Sequence, residues 1–449
     1  MAHKNFDVNL KQVISPFNKT VKVDSDKSIS IRSLLIGAIS QNISSVKNIL
    51  ESEDVLSTIK CLRKLGVKII KKKASYNIHG NGFGSLVAKK NLVLNFGNSG
   101  TLARLLIGIL STNPNINLRL TGDHSLQKRS MKKLILLMSE FGAFFLPKKK
   151  FNFPLKIVSS EMPVGINYQA DVSAQLKSAV ILAGLNSYGL TTITEKKKSR
   201  DHTERMLKNN KDVIKILKKK NRIITIKGKK NLKPINIDVP GDPSSAAFFC
   251  ALTILTKKSS IKIKNFVLNP TRIGFYKLLK KFGAKIILKN IKNKNNELTG
   301  SILAKYSLLK PIKANKEYYV NSTDEYPILF VIAALTKGVS IFKGINDLAN
   351  KESNRITEMQ KILLQIGIKS KASKDELKIF GKGLINAKKK NILVQNLGDH
   401  RICMSSFILA ILTGAKTKIK NFETVYTSSP NFLNIIKLLG GKFEIKKQS

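Results

Sequence analysis

The stretch SAQLKSAVILAGL, residues 173–185, decides the fold, because it carries a pattern that occurs six times. A polar head leads into a run of almost entirely apolar residues, and the copies begin at positions 28, 99, 173, 244, 324 and 399. Successive copies start 71, 74, 71, 80 and 75 residues apart. Each run is followed by a short turn and a strand-like stretch such as SIKIKNF at 260–266. The repeated unit is therefore a helix, a turn and a strand.

A second, amphipathic helix follows in most copies and ends at a glycine before another strand, as in LLKKFGAKII at 278–287. Glycine just past a helix end accepts the left-handed conformation that other residues resist. The third copy has no such glycine, and we expect Asn209 or Asn210 to replace it. The five glycines are Gly66, Gly142, Gly283, Gly367 and Gly440.

The apolar runs predict the fold class. A helix that is apolar on every side must be buried on every side, so each first helix belongs inside a layer of sheets and other helices. A chain of 449 residues also exceeds what one hydrophobic core usually supports. We therefore predict an α/β (α+β) protein of two domains, each built from three repeated units around buried helices.

The apolar segments, cysteines and histidines of the sequence argue against a membrane protein, a disulfide-bonded protein and a metalloprotein. The sequence has no run of eighteen apolar residues and no apolar segment after its start, which predicts a cytoplasmic protein that does not insert into a membrane. Cys61, Cys250 and Cys403 lie in apolar helical patterns and are predicted to be buried free thiols. Neither they nor the five histidines have ligand spacing, so no metal site is expected.

The net charge of +52 has two interpretations, a nucleic-acid surface or a compositional bias toward lysine. Lysine triplets at 71–73, 148–150, 196–198, 218–220 and 388–390 lie between apolar blocks, and aromatic residues make up only 7% of the chain. A nucleic-acid surface usually combines clustered cations with exposed aromatic rings. The pattern favours compositional bias and predicts no specific nucleic-acid partner, while a positive field favours small anionic ligands.

The polar heads carry the candidate chemistry. Helix N-termini present unpaired N–H groups, so the heads are either anion sites or ordinary N-caps, and a single head does not distinguish the two. In the first half, cations and hydroxyls surround the heads, a combination that suits phosphate and carboxylate groups. In the second half, carboxylates join the cations at DE (324–325) and KESNR (351–355), which suits proton transfer. Each such charge could also belong to a surface ion pair.

The motifs resemble the 5-enolpyruvylshikimate-3-phosphate synthases, class II, almost from end to end. They include DKSISIR (26–32), DHSLQKR (123–129), SRDHTERML (199–207), KESNR (351–355) and DHRICMS (399–405). The resemblance implies the enolpyruvyl transferase fold, with βαβαββ-type units, crossovers near 22–26 and 238–242, and an active site in the cleft. The implied domains are residues 25–240, mainly for shikimate 3-phosphate, and residues 1–24 plus 241–449, which carry the proton-handling residues.

The resemblance also implies an activity, namely transfer of the enolpyruvyl group of phosphoenolpyruvate to the 5-hydroxyl of shikimate 3-phosphate, in aromatic amino acid biosynthesis. It implies a monomer without a cofactor. The implied shikimate 3-phosphate residues are Lys27, Ser28, Arg32, Ser173, Ala174, Gln175, Arg200, Asp324 and Lys351. The implied phosphoenolpyruvate residues are Lys27, Gly100, Arg129, Gln175, Arg355 and Arg401. The implied proton-handling pair is Asp324 and Glu352, assisted by Lys27.

Asn354 departs from the family pattern, which has an acid at this position, and we expect looser orientation of Arg355 and weaker phosphoenolpyruvate binding. Gly100 leaves room for glyphosate, which occupies the phosphoenolpyruvate site in this family, so inhibition is expected. Two alternatives stay open. One is a UDP-N-acetylglucosamine enolpyruvyl transferase, although DHSLQKRSM at 123–131 has no cysteine. The other is a basic protein that binds RNA or processes RNA ends.

Overall fold

The computed structural model describes residues 5–218 and 220–447. Predictions that fall on residues 1–4, 219 and 448–449 lie outside this part of the chain. The strands are β1 Phe6–Leu10, β2 Asn18–Val21, β3 Gln41–Lys47, β4 Lys68–Lys71, β5 Ser75–Asn81, β6 Val93–Asn95, β7 Asn117–Thr121, β8 Phe144–Leu146, β9 Leu155–Val158, β10 Asn167–Ala170, β11 Leu190–Glu195, β12 Ile214–Lys218, β13 Arg222–Lys227, β14 Asn236–Asp238, β15 Ser260–Val267, β16 Lys285–Lys294, β17 Glu297–Lys305, β18 Lys313–Ala314, β19 Gly338–Lys343, β20 Ser370–Ala372, β21 Glu376–Gly381, β22 Asn391–Val394, β23 Lys416–Ile419 and β24 Glu444–Lys447.

The helices alternate with these strands along the chain. Short 3₁₀ turns cover Thr323–Glu325, Asn346–Asn350 and Phe422–Thr427. The α-helices are α1 Lys27–Ile39, α2 Glu53–Lys64, α3 Gly100–Thr112, α4 His124–Lys128, α5 Lys132–Glu140, α6 Ala174–Gly184, α7 His202–Leu207, α8 Pro243–Leu255, α9 Gly274–Lys281, α10 Lys316–Ser322, α11 Tyr326–Ala334, α12 Arg355–Gln365, α13 His400–Thr413 and α14 Phe432–Leu438.

The chain divides into two compact units. Unit 1 comprises Met1–Asp24, Pro240–Asn293 and Leu298–Ser449, and unit 2 comprises Ser25–Val239 and Lys294–Glu297.

Unit 2 contains three four-stranded sheets with one common topology. Their strand orders are β14-β3-β5-β4, β6-β7-β9-β8 and β10-β11-β13-β12. In each sheet the first pair is parallel and the other two pairs are antiparallel. In the second and third sheets, the apolar helices α3 and α6 supply the helical crossover that a parallel pair needs. In the first sheet, α1 precedes β3, and the parallel partner β14 comes from the end of the unit 2 segment. The second and third sheets with their helices are therefore βαβαββ units, and the first has the same arrangement with β14 as its leading strand.

Unit 1 repeats this arrangement, but the N-terminal segment completes two of its three sheets. Its strand orders are β22-β23-β1-β24, β16-β17-β15-β2 and β18-β19-β21-β20. Strand β2 pairs in parallel with β15, and β1 pairs antiparallel with β23, with Val8 opposite Ile419. In unit 2, β14 at the far end of the chain segment likewise pairs with β3.

Six helices coincide with the six apolar runs, so the predicted fold class is confirmed. These helices are buried along most of their length, and α8, α11 and α13 are buried at every residue. The fifth helix begins later than its run, because Pro327 lacks an N–H and occupies the first turn, so that Thr323–Glu325 forms a 3₁₀ turn instead.

The predicted glycine caps are present in five copies, and the prediction for the third copy is wrong. Gly66, Gly142, Gly283, Gly367 and Gly440 all have φ between 80° and 100°. Neither Asn209 nor Asn210 has a positive φ. Helix α7 ends in a turn in which the backbone N–H of Asn210 donates to the carbonyl oxygen of Leu207 at 2.8 Å, so this helix ends without a left-handed residue.

The predicted buried thiols are confirmed, since Cys61, Cys250 and Cys403 are buried and unbridged. Among the described residues, every helix is too short or too polar to cross a lipid bilayer.

Candidate active site

The N-terminal ends of the apolar helices are capped by side chains, so the capping interpretation of the heads holds for most of them. Asp26 accepts a hydrogen bond from the backbone N–H of Ile29 at 2.8 Å, and Ser99 and Ser173 accept from Leu102 and Leu176. Asp242 and Asp399 cap α8 and α13 in the same way. Asp324 lies in a 3₁₀ turn, and α11, which follows this turn, begins without a side-chain cap.

In unit 2, the predicted residues of α1 are held by partners from neighbouring helices. The Lys27 ammonium lies 2.9 Å from a carboxylate oxygen of Asp54 on α2. Arg32 is buried, and its guanidinium donates to the hydroxyls of Thr203 at 2.9 Å and Ser178 at 3.0 Å. Ser28 contributes its backbone carbonyl as a third acceptor for Arg32. These contacts bring α1, α6 and α7 together.

A second group in unit 2 forms around the start of α3. Nη1 of Arg104 donates to Oε1 of Gln175 at 2.8 Å and to the carbonyl oxygen of Gly100 at 3.1 Å. The Gln175 amide donates in turn to Thr101. A Cβ atom on Gly100 would lie 2.7 Å from Nη1 of Arg104 and 3.2 Å from Nη1 of Arg129. Gly100, Arg129 and Gln175 are therefore in one cluster.

Sequence reasoning missed Arg104, which lies at the centre of this cluster. The available signal was an arginine four residues after Gly100 within an otherwise apolar run. Residues four apart share one face of a helix, so its side chain turns back toward the head of α3. Asn98, which accepts from Arg129 at 3.0 Å, was also missed.

The third repeat of unit 2 carries the remaining predicted residues. Ser173 and Ala174 begin α6, and Arg200 is partly buried in the loop before α7. The residue before Arg200 is fixed, because both the backbone N–H and the hydroxyl of Ser199 donate to Oε1 of Glu195, at 2.9 and 2.7 Å.

In unit 1, Arg355 is the centre of a cluster of carboxylates. It is buried at the start of α12, and its Nε and Nη2 atoms donate to Asp399 at 2.9 Å and Glu352 at 2.5 Å. Nη1 lies 4.0 Å from Asp324. Burial by itself lowers the pKa of Arg355, but Asp399 and Glu352 outweigh it, so the pKa is raised and the guanidinium stays charged. Asp324, Glu352 and Arg355 are thus within ion-pair range.

Lys351 is not held by the Arg355 cluster. Its ammonium lies 2.5 Å from Asp347, which also accepts from the Tyr319 hydroxyl at 2.9 Å. The Lys351 side chain is partly exposed, with 26% of its surface accessible.

Arg401 lies beside the Arg355 cluster, on α13, and its backbone N–H donates to Asp399 at 3.0 Å. Its guanidinium carbon is 5.9 Å from the centre of the Phe248 ring, and its Nη1 atom has no hydrogen-bond partner among residues 5–218 and 220–447. Burial tends to raise the pKa of Asp242, but Arg272 and Arg401 outweigh this and hold it below its usual range. Sequence reasoning also missed Arg272, which is buried and lies 2.9 Å from Asp242.

Asn354 caps α12, with its side chain accepting from the backbone N–H of Thr357 at 3.2 Å. Arg355 is oriented by Asp399 and Glu352, so the geometry gives no support to the expectation that Asn354 loosens it.

No group of three or more potential metal ligands occurs in the described residues. The chemistry of both units is instead that of cations, amides, hydroxyls and carboxylates, which suits anionic ligands and proton transfer.

Comparison with known proteins agrees with this chemistry. A family profile described as EPSP synthase (3-phosphoshikimate 1-carboxyvinyltransferase) matches residues 11–436. The 3-phosphoshikimate 1-carboxyvinyltransferase of Zymomonas mobilis is 38% identical over 436 residues, which cover 96% of each chain. The Bacillus subtilis protein of that name is 37% identical over 423 residues, covering 94% of this chain and 97% of its own.

Solved structures extend the comparison to the fold. EPSP synthase from Acinetobacter baumannii has a TM-score of 0.84 and 34% identity, covering 98% of this chain and all of that one (100%). The enolpyruvyl transferase NikO from Streptomyces tendae, at 13% identity and a TM-score of 0.74, shares the fold. The predicted enolpyruvyl transferase fold is confirmed, and the chain belongs to the EPSP synthase (3-phosphoshikimate 1-carboxyvinyltransferase) family.

Proposed function

We propose that this protein transfers the enolpyruvyl group of phosphoenolpyruvate to the 5-hydroxyl of shikimate 3-phosphate and releases phosphate. Family membership over residues 11–436 supports the reaction. The observation that carries the proposal is the Arg355 cluster, in which a buried cation lies 2.5 Å from Glu352 and 4.0 Å from Asp324. An anion-binding group and two carboxylates at these distances match the needs of an addition that moves protons next to a bound anion.

The proposed chemistry consists of an addition followed by an elimination. The 5-hydroxyl gives up its proton and attacks C2 of the enol, while C3 accepts a proton. The product keeps the enol double bond. C3 must therefore lose a proton again as the phosphate departs from C2. Asp324 and Glu352 are proposed to exchange these protons, with Lys27 assisting. Cations already fixed around both substrates stabilise the charge that develops, without reorganising.

The binding roles are assigned by the same proposal. Shikimate 3-phosphate is assigned to Lys27, Ser28, Arg32, Ser173, Ala174, Gln175, Arg200, Asp324 and Lys351. Phosphoenolpyruvate is assigned to Lys27, Gly100, Arg129, Gln175, Arg355 and Arg401. The free space at Gly100 also supports inhibition by glyphosate, because a Cβ atom there would crowd Arg104 and Arg129. A monomer in the cytoplasm is part of the proposal, and light scattering and cell fractionation test it.

The assay measures phosphate release when purified protein is mixed with phosphoenolpyruvate and shikimate 3-phosphate. A parallel reaction replaces the acceptor with UDP-N-acetylglucosamine. Phosphate release only when shikimate 3-phosphate is the acceptor supports the proposal. Phosphate release only when UDP-N-acetylglucosamine is the acceptor favours the alternative transferase. Tight, salt-sensitive RNA binding without turnover would reject both transferase assignments.

A further inference from the structure

Unit 2 contains a buried network of four charged side chains that the proposed reaction does not use. Lys177 on α6 lies 2.7 Å from Glu195 at the end of β11 and 2.8 Å from Glu204 on α7. Arg222 at the start of β13 lies 2.5 Å from Glu195 and 3.0 Å from Glu204. Two cations thus face two carboxylates, and the side chains of Lys177 and Glu195 are fully buried.

Stability alone does not explain a buried network of charges, because burying an ion pair seldom stabilises a protein more than apolar packing would. Glu195 is nevertheless kept ionised. Burial acts to raise its pKa, but Lys177 and the hydrogen bonds from Ser199 lower it below the usual value. The carboxylate is therefore a fixed acceptor in the interior of unit 2.

The Glu195 carboxylate accepts hydrogen bonds from the loop that carries Arg200. Glu195 receives both the backbone N–H and the hydroxyl of Ser199, the residue directly before Arg200. Two residues after Arg200, helix α7 begins, and its Glu204 belongs to the same network. The network therefore holds the chain on both sides of Arg200.

The same network is attached to the other part of the proposed phosphate site. Lys177 is on the first turn and a half of α6, four residues after the cap Ser173 and two after Gln175. One ammonium group thus connects the head of α6 to the loop of Arg200. The three lysines at 196–198 are exposed and have the same charge as Arg200, and Lys198 is paired with Asp201 at 2.7 Å. The attachment to Glu195 therefore holds this loop in place against repulsion between its cations.

We infer that Lys177 and Glu195 are positioning residues, which hold the Ser199–Arg200 backbone against the head of α6 so that both meet the same phosphate group of the substrate. This inference rests on the proposed function, because that function supplies a substrate with a phosphate at this place. Neither side chain touches the substrate; both act through Arg200.

The experiment measures the dissociation constants of shikimate 3-phosphate and of shikimate, which lacks the phosphate, by calorimetry. For Glu195→Gln, we expect the constant for shikimate 3-phosphate to rise about tenfold, since one charge-assisted contact is misplaced. The constant for shikimate should change less than about twofold. Glu140→Gln, at an exposed position of unit 2, removes the same charge and serves as the control. Equal weakening of both ligands, or of neither, overturns the inference.

A milder variant keeps the inference falsifiable if Glu195→Gln does not fold. Ser199→Ala removes one hydrogen bond to Glu195 and leaves all four charges, so a selective loss of shikimate 3-phosphate affinity is expected in the same direction. Glu195→Gln or Ser199→Ala is then combined with Arg200→Ala. If the network acts through Arg200, then Glu195→Gln or Ser199→Ala has almost no further effect on the dissociation constant of shikimate 3-phosphate in a protein that already carries Arg200→Ala. Independent, multiplicative effects overturn the inference.

The wild-type measurement separates the two proposals. A wild-type protein that neither binds shikimate 3-phosphate nor releases phosphate contradicts the proposed function. A wild-type protein that does both, together with variants that match it, contradicts the role of the network alone.

Discussion

The Arg355 cluster of unit 1 and the Lys177–Glu195–Glu204–Arg222 network of unit 2 are both buried, but they differ in the balance of charge and in access to water. In unit 2, two cations face two carboxylates, and the four side chains are at most 10% exposed. In unit 1, Arg355 faces Asp324, Glu352 and Asp399, and the first two are 28% and 18% exposed. Negative charge therefore exceeds positive charge in this group, and water reaches two of its carboxylates.

The difference separates two uses of buried charge. A neutral, dry group exchanges no protons with solvent and is suited to fix a backbone. A group with excess carboxylates and partial exposure can gain and lose protons while its cation holds an anion. Substitutions in the unit 1 cluster should therefore lower the rate, whereas substitutions in the unit 2 network should lower stability or affinity.

The largest expected effect is on the rate, in unit 1. Glu352→Gln should lower kcat by about 10²- to 10⁴-fold, the range typical of a lost general acid or base. The fold should survive, because Asp399 still holds Arg355. Steady-state phosphate release gives kcat, and Glu358→Gln on α12, the helix that begins at Arg355, is the control, since it removes only an exposed pair with Lys361. A kcat equal to that of the wild type would remove Glu352 from proton transfer.

The second effect is on stability, in unit 2. Lys177→Met should lower the free energy of unfolding by about 3–5 kcal/mol, because it leaves two buried carboxylates with one cation. Chemical denaturation followed by circular dichroism measures the loss. Lys215→Met, on the exposed side of the neighbouring strand β12, should leave stability near the wild-type value. A loss of unfolding free energy no larger than that of Lys215→Met would show that the unit 2 network does not have the structural role that distinguishes it from the unit 1 cluster.

The third effect concerns Asp24, a buried carboxylate of unit 1 that accepts hydrogen bonds from the neutral residue Asn431. Burial, with a smaller contribution from nearby Asp242, raises the pKa of Asp24 to about 6, despite two hydrogen bonds from Asn431. A raised pKa means that the folded state binds the proton more tightly than the unfolded chain. The stability contributed by Asp24 is therefore present at low pH and is lost as pH rises from about 4 through 6.

Asp24→Asn removes this ionisation, so its effect depends on pH. One pKa unit corresponds to about 1.4 kcal/mol, and a rise of about two units therefore costs the folded wild type at most ~3 kcal/mol above pH 6. Because asparagine loses one acceptor for Asn431, we expect a net gain of about 1 kcal/mol at pH 8 and none at pH 4. Melting temperatures of both proteins across this range test the sign. A variant that gains stability only at low pH would contradict it.

The smallest effect is expected at the edge of the unit 1 cluster. Asn354→Asp should change the Michaelis constant for phosphoenolpyruvate less than about twofold, since both residues are good N-caps and Arg355 is held by other groups. Initial rates at varied phosphoenolpyruvate measure it. A severalfold decrease in that constant would restore the view, drawn from the family pattern, that the acid orients Arg355.

The sequence by itself determined the repeat and therefore the fold class. The six apolar runs could be recognised because a helix buried on all sides excludes polar residues along its whole length, and the helix-ending glycines because few residues accept positive φ. The same reasoning failed at Asn209 and Asn210, where α7 ends in a turn. The motifs also pointed to Gly100, at the head of an apolar run, and to Arg355, in the charged segment 351–355, and the family resemblance implied their binding roles.

Only the tertiary structure decided which distant segments meet. Strands β1 and β2 complete sheets whose other strands lie hundreds of residues later, and no local pattern records these pairing partners. Packing of the helices brings Arg104 into contact with Gln175 and Asp399 into contact with Arg355. Lys177 interrupts an apolar run in the sequence, and only the packed structure brings its partners Glu195 and Glu204 beside it. A buried charge depends on partners that folding brings from other elements, so its role follows from the packed structure.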